Sequence, residues 1–235
     1  MYKRQVLLRK GADFEAIGKK YQISPRLACL IRKRDVIGEE AVDRYLNGTI
    51  SDLYDGMLMK DMDKAIDILK EKILEDKKIR VIGDYDIDGV NATYILLEGL
   101  ERLGADVDSD IPDRISDGYG LNRHLVERAY EAGVDTLITC DNGIAAADEI
   151  AYGKEMGMTV IVTDHHEVPF DEHDGEKRYR IPPADAVMDP KQPDCLYPFK
   201  GLCGAAVAYK LMEALWESMG TVSYTHLTLP TNSRV

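Results

Sequence analysis

Residues 78–89, Lys78-Ile79-Arg80-Val81-Ile82-Gly83-Asp84-Tyr85-Asp86-Ile87-Asp88-Gly89, constrain this chain more than any other stretch. A short β-branched run ends abruptly in three alternating carboxylates, and residues 90–103 then carry Ala92, Ile95, Leu96 and Leu100 at helical spacing. Asp84, Asp86 and Asp88 therefore fall where a strand hands over to a helix, the usual place for a ligand crevice in an open α/β sheet. Like charges so close repel one another in a partly desolvated site, and a multivalent cation relieves that repulsion. A metal site is the first expectation, with a solvated acidic turn as the plainer alternative. The spacing also looks like the start of an EF-hand loop. That loop needs a Glu at its twelfth position and a preceding helix; counted from Asp84, that position is Ile95, and the preceding run is a strand.

The rest of the chain sets this stretch in an alternating pattern. After the strand at 79–83 and the helix at 90–103, strands are expected at 105–111, 136–140, 159–163 and 184–188. Helices are expected near 124–132, 144–156 and 204–218. Repeated βα units imply a parallel sheet with helices on both faces, an α/β class. Residues 167–180 read as a charged, solvated loop, and 53–58 as a loop rich in turn formers. The first 75 residues read as helical: Ser24-Pro25 is a cap followed by Pro at the first helical position, opening 26–34. Residues 61–77 form an amphipathic helix expected to pack on the sheet. The expected organisation is an N-terminal helical segment over 1–75, an α/β domain over 76–220, and a tail over 221–235. The tail breaks the rhythm and reads as a non-native scar, as residues 1–5 could also be.

Two more strand ends repeat the acidic theme. Residues 136–140 run straight into Asp141-Asn142-Gly143, and residues 159–163 into Asp164-His165-His166. Carboxyl ends of parallel strands share one edge, so Asp84, Asp86, Asp88, Asp141, Asp164, His165 and His166 can converge on one crevice. Carboxylates with imidazole and no thiolate suit Mn²⁺ or Mg²⁺ better than a structural zinc. The carboxylates outnumber what one ion needs, so two ions sharing an Asp are expected. Two such ions clamp a phosphoryl group and activate water, which implies phosphoester or phosphoanhydride hydrolysis.

Composition excludes less than the motifs establish. The 235 residues carry a net charge of −12, which argues against broad adhesion to nucleic acid. Cys29, Cys140, Cys195 and Cys203 form neither a C-x-x-C pair nor zinc-ligand spacing, so a reduced, cytoplasmic protein is expected. Asn47-Gly48-Thr49 is then a turn, and no apolar run reaches membrane-spanning length.

Asp84-Tyr85-Asp86-Ile87-Asp88-Gly89, Cys140-Asp141-Asn142-Gly143 and Asp164-His165-His166 resemble the first, third and fourth motifs of the DHH phosphoesterase superfamily. Arg114 with Gly118-Tyr119-Gly120-Leu121 resembles the second. Asp189-Pro190-Lys191, Tyr197-Pro198-Phe199-Lys200-Gly201-Leu202-Cys203-Gly204 and the subsequent helix are similar to RecJ-type single-strand-specific exonucleases. The resemblance spans about residues 10–218 and implies a Rossmann-like DHH domain that uses Mn²⁺ or Mg²⁺ to remove nucleotides from the 5′ end of single-stranded DNA. Repair or recombination proteins would be its partners. It implies Asp86 on one metal, Asp88 and His165 on the other, Asp141 bridging and Asp84 in support. His166 and Arg114 would then act at the phosphate beside Asp164. Rival expectations are another DHH phosphoesterase, acting on oligoribonucleotides, cyclic dinucleotides or pyrophosphate, and a non-catalytic scaffold of the same fold. The family places a further metal-binding Asp beyond the 204–218 helix, where this chain has no Asp or Glu, and it carries a second domain. An N-terminal fragment with a weakened metal site is therefore expected. Tyr119 is expected to pack beside a glycine turn, with stacking on a base as the alternative, and Gly201 and Gly204 either allow close helix packing or receive phosphate on their amides.

Overall fold

The structure, a computed structural model, describes residues 13–113, 120–173 and 175–220. Arg114 and Tyr119 fall outside the described residues, as does the segment 221–235. The chain separates into two compact units, Met1–Leu53 and Tyr54–Val235. In the first, α1 (Phe14–Tyr21), α2 (Pro25–Lys33) and α3 (Glu39–Asn47) bury Ala28, Ile31 and Val42. The expected cap at Ser24 is present: its hydroxyl accepts the Leu27 amide at 3.2 Å, with Pro25 opening α2.

The second unit holds a five-stranded parallel sheet. Its helices are α4 (Met62–Leu74), α5 (Ile87–Arg102), α6 (Arg123–Glu131), α7 (Ala147–Glu155) and α8 (Gly204–Ser218). The sheet runs β2 (Val107–Asp110), β1 (Ile79–Ile82), β3 (Thr136–Cys140), β4 (Thr159–Thr163), β7 (Ala186–Met188). Period-two alternation assigns each strand residue to a face. Val81, Ile138, Ile161, Ala186 and Met188 join Met62, Leu69, Leu96 and Leu211 of α4, α5 and α8. Ile82, Leu137, Val160, Val162 and Val187 join Leu125, Val126 and Ile150 of α6 and α7. Both faces are covered, which is why the central strands read as continuous apolar runs.

The strand order creates a crevice. From β1 the chain crosses to β2 on one side, then returns to place β3 on the other. The tips of β1 and β3 thus flank a topological switch point, where connections diverge and leave room for a ligand.

Local chemistry moves several boundaries from their expected places. Helix α5 begins at Ile87 rather than 90, because Asp86 caps it. Helix α7 begins at Ala147 rather than 144, after a turn closed by the Ala146 amide on the Gly143 carbonyl. Within 53–58, residues Gly56–Leu58 form a 3₁₀ turn capped by Asp55. The largest difference lies in 167–180, which is not a loop but an antiparallel hairpin, β5 (Phe170–His173) and β6 (Glu176–Tyr179). Its turn contains Gly175 at φ +81°, and Phe170 packs across the strands on Tyr179.

Candidate metal centre

The site begins with the turn after β1. Asp86 Oδ1 accepts the amides of Asp88 and Gly89 at 2.8 and 2.9 Å, a helix cap that fixes the carboxylate at the mouth of α5. Gly89 lies so near Asp84 that a Cβ would stand 2.6 Å from the Asp84 Cβ and carbonyl oxygen. A larger residue would therefore displace the buried Asp84.

Asp141 comes directly after β3 in the left-handed region, φ 60°, where Asp and Asn are among the few side chains tolerated. It is 2% exposed. The adjacent Asn142 donates its Nδ2 to the Ile82 and Cys140 carbonyls at 3.2 and 3.0 Å, so it ties the tips of β1 and β3 together across the switch point. After β4, Asp164 is buried and fully engaged. Its Oδ2 accepts the Ile144 amide at 2.9 Å, and its Oδ1 faces the His165 amide at 2.7 Å and His166 Nδ1 at 2.7 Å. Asp164 thus orients the His166 imidazole and fixes the backbone of His165.

These three turns meet. One ligand atom from each of Asp84, Asp86 and Asp141 lies within 4.8 Å of the others, and the same holds for Asp141, His165 and His166. Asp141 belongs to both groups. His165 Nε2 stands 2.9 Å from Asp141 Oδ1 and 3.5 Å from Asp88 Oδ2. Asp88 itself is turned toward α8: its Oδ2 and Oδ1 accept the amides of Gly204 and Ala205 at 2.6 and 2.8 Å. The Gly204 amide is thus taken by a carboxylate, so of the two expectations for this glycine close packing holds and phosphate binding does not. A Cβ at Gly204 would lie 2.5 Å from Asp141 Oδ1, so glycine is required for α8 to approach the site this closely.

Charge is concentrated beyond what these residues can neutralise. Burial, then repulsion from Asp88 and Asp86, pushes the Asp141 carboxyl up to about 7. Burial also raises Asp84, whereas the Gly89 amide holds Asp86 below the usual carboxylate range. For Asp164 burial acts upward, but the His166 and backbone hydrogen bonds prevail and lower it. His166 is raised by that same hydrogen bond. The buried Asp84 Oδ1 has no hydrogen-bond donor, and the buried Asp141 Oδ1 faces only the His165 Nε2 at 2.9 Å, outside hydrogen-bond geometry. Uncompensated buried carboxylate oxygens, arranged in two groups with a shared member and joined by imidazole, suit hard divalent cations. Cys140, pushed up to about 12 by burial, is not a ligand in waiting. A cleft of about 320 Å³ opens beside the cluster, lined in part by Leu121, Asn142, Ile144, Glu149 and His166.

The match with known proteins agrees with this architecture. Residues 78–230 fit the model described as the DHH family, N-terminal domain. The chain belongs to the DHH family. It is 41% identical over 201 residues to the single-stranded-DNA-specific exonuclease RecJ of Bacillus subtilis, covering 86% of this chain and 24% of that protein. Among solved structures, an exonuclease RecJ bound to manganese is similar at 38% identity with a TM-score of 0.60, over 70% of this chain and 39% of that one. RecJ from Thermus thermophilus in complex with Mn²⁺ is 31% identical with a TM-score of 0.61, over 89% of this chain and 28% of that one. The chain spans about a quarter to a third of the length of the curated relatives it matches.

Within this DHH domain, Asp84, Asp86, Asp141, His165 and His166 come together as the strand-tip pattern implies, with Asp88 at their edge and Asp164 behind. Arg114 lies outside the described residues. Asp189, near enough to feel the charges of Asp164 and His166, is a buried acid that sequence reasoning does not single out. It is fully buried at the tip of β7, accepts the Lys191 amide at 2.7 Å, and is pushed up to about 7 by burial. The signal is in the sequence: a strand running straight into an Asp, as at Asp141 and Asp164.

Proposed function

We propose that this DHH domain hydrolyses phosphodiester bonds at the 5′ end of single-stranded DNA with Mn²⁺ or Mg²⁺, in a repair or recombination setting. The observation that carries this reading is Asp141, shared by two ligand groups at a switch point, in a chain 41% identical over its matched residues to a single-stranded-DNA-specific exonuclease. Asp84, Asp86 and Asp141 would hold one cation, and Asp141 with His165 the other, with Asp88 at its margin. Bound there, divalent cations supply Lewis-acid polarisation of the phosphate and a more acidic water. The protein's own part is orientation. Asp164 accepts the Nδ1 proton of His166, so Nε2 is the nitrogen that accepts a proton or meets the phosphate. Asp88 holds the start of α8 against the cluster through the Gly204 and Ala205 amides.

The test is release of nucleotides from a single strand labelled at either end, with Mn²⁺, against a duplex, an oligoribonucleotide, a cyclic dinucleotide and pyrophosphate. Loss of the 5′ label from single-stranded DNA ahead of all others is expected. Preferential cleavage of any other substrate overturns the assignment, and no hydrolysis despite Mn²⁺ binding favours a scaffold.

A further inference from the structure

The helical unit at the start of the chain encloses a cavity that its own side chains do not fill. It measures about 390 Å³ and lies among α1, α2 and α3, with Ile17, Ala28, Val36, Ile37 and Val42 as apolar walls. Interiors pack as densely as organic crystals, so a void this large forfeits contacts for the atoms around it. One side is tied shut: the Tyr21 hydroxyl donates to the Glu39 carbonyl at 3.1 Å, and Lys20 pairs with the Glu39 carboxylate. Ile37 is 60% exposed, so the cavity meets solvent along that wall.

One polar group is left over. Arg32, on α2, also lines the cavity, and its Nη1 is buried with no hydrogen-bond partner. Lys20 is answered by Glu39, whereas this guanidinium nitrogen is answered by nothing among the described residues. A buried N–H without an acceptor is costly, and the planar fork of a guanidinium matches a carboxylate. Unfilled apolar volume and an unanswered cation have one remedy in common. We propose that this cavity is a binding site for a small amphipathic carboxylate: the apolar chain fills the space between the helices, and the carboxylate accepts from Arg32. Its size, and its apolar walls with a single polar anchor, are those of small-molecule sites. An inorganic anion would satisfy Arg32 and leave the volume empty, and a neutral hydrocarbon would do the reverse. The cavity shares no residue with the metal centre, so the proposal is independent of the nuclease reading.

The test is titration of the full chain with octanoate in EDTA, followed by calorimetry and thermal melting. One saturable site per chain and a rise in Tm at saturation are expected. Octanamide, which has the same chain without the charge, should bind at least about tenfold more weakly. Arg32→Met keeps an apolar stem and removes the cation, so it should erase the difference between the two ligands. Val42→Phe fills the cavity and should abolish binding of both, with retained far-ultraviolet helicity as the control for folding; should that variant unfold, Arg32→Met decides alone. No octanoate binding by the wild type overturns the site. Equal affinity for octanoate and octanamide, or a preference for octanoate that survives in Arg32→Met, overturns it as well.

Discussion

Asp141 is where charge, backbone and ligand demands coincide. Its carboxyl is raised from 3.8 to about 7 by burial and by Asp88 and Asp86. The folded state therefore binds this proton more tightly than the unfolded state does. Without cations, that contribution is fully present below about pH 4 and is lost as pH rises toward about 7, a difference of at most about 4 kcal/mol. Asn tolerates the same left-handed backbone. Asp141→Asn should thus melt several degrees above the wild type at pH 8 in EDTA, the gap closing at pH 5, while it loses the rise in Tm that Mn²⁺ gives the wild type. Thermal melts at the two pH values check both halves, and an unchanged Mn²⁺ response would refute the shared-ligand role. Gly204→Ala should act on the same carboxylate from outside: its Cβ meets Asp141 Oδ1 at 2.5 Å, so Mn²⁺ affinity measured calorimetrically should fall at least about tenfold.

At the scale of elements, one side chain serves as both cap and ligand. Asp86→Ala removes the hydrogen bonds to the Asp88 and Gly89 amides and should cost about 1 kcal/mol, whereas Asp86→Asn retains the cap and loses the charge. Urea midpoints should separate the two variants while Mn²⁺ titration shows both impaired. Equal midpoints would mean the cap does not stabilise α5. This doubling explains what the sequence discloses and what it hides. The β-branched runs at 79–82, 136–140 and 159–163 could hardly be anything but buried strands, and acids at their ends locate the crevice. The hairpin is concealed because Asp171, Glu172, Lys177 and Arg178 make its alternation look like solvated charge, while its cross-strand pair is one aromatic contact, Phe170 on Tyr179. The grip of Asp88 on α8 is equally invisible, because it depends on a contact between residues 116 apart in sequence. Helix α7 starts late for the same kind of reason, since the Ile144 amide is committed to Asp164, far along the chain.

For the molecule as a whole, acidity and cation demand act together. Among the described residues no helix is long and apolar enough to cross a membrane, and a net charge of −12 gives phosphate little general attraction. Retention on a single-strand DNA column should therefore depend on divalent cations, with elution by EDTA at a salt concentration that leaves the Mn²⁺-loaded chain bound; equal retention in both states would contradict this. Cations binding only the folded form should stabilise it by about 2.7 kcal/mol at a hundredfold excess over Kd, a shift visible in a thermal melt. The tether from Asp88 to the Gly204 and Ala205 amides also has a temporal meaning. A ribosome delivers the aspartates of the first strand tip long before the helix that steadies them. During synthesis the acids must wait, still mobile, through more than a hundred residues. Closure of the pocket thereby waits for α8, and ion capture would report that this helix has docked.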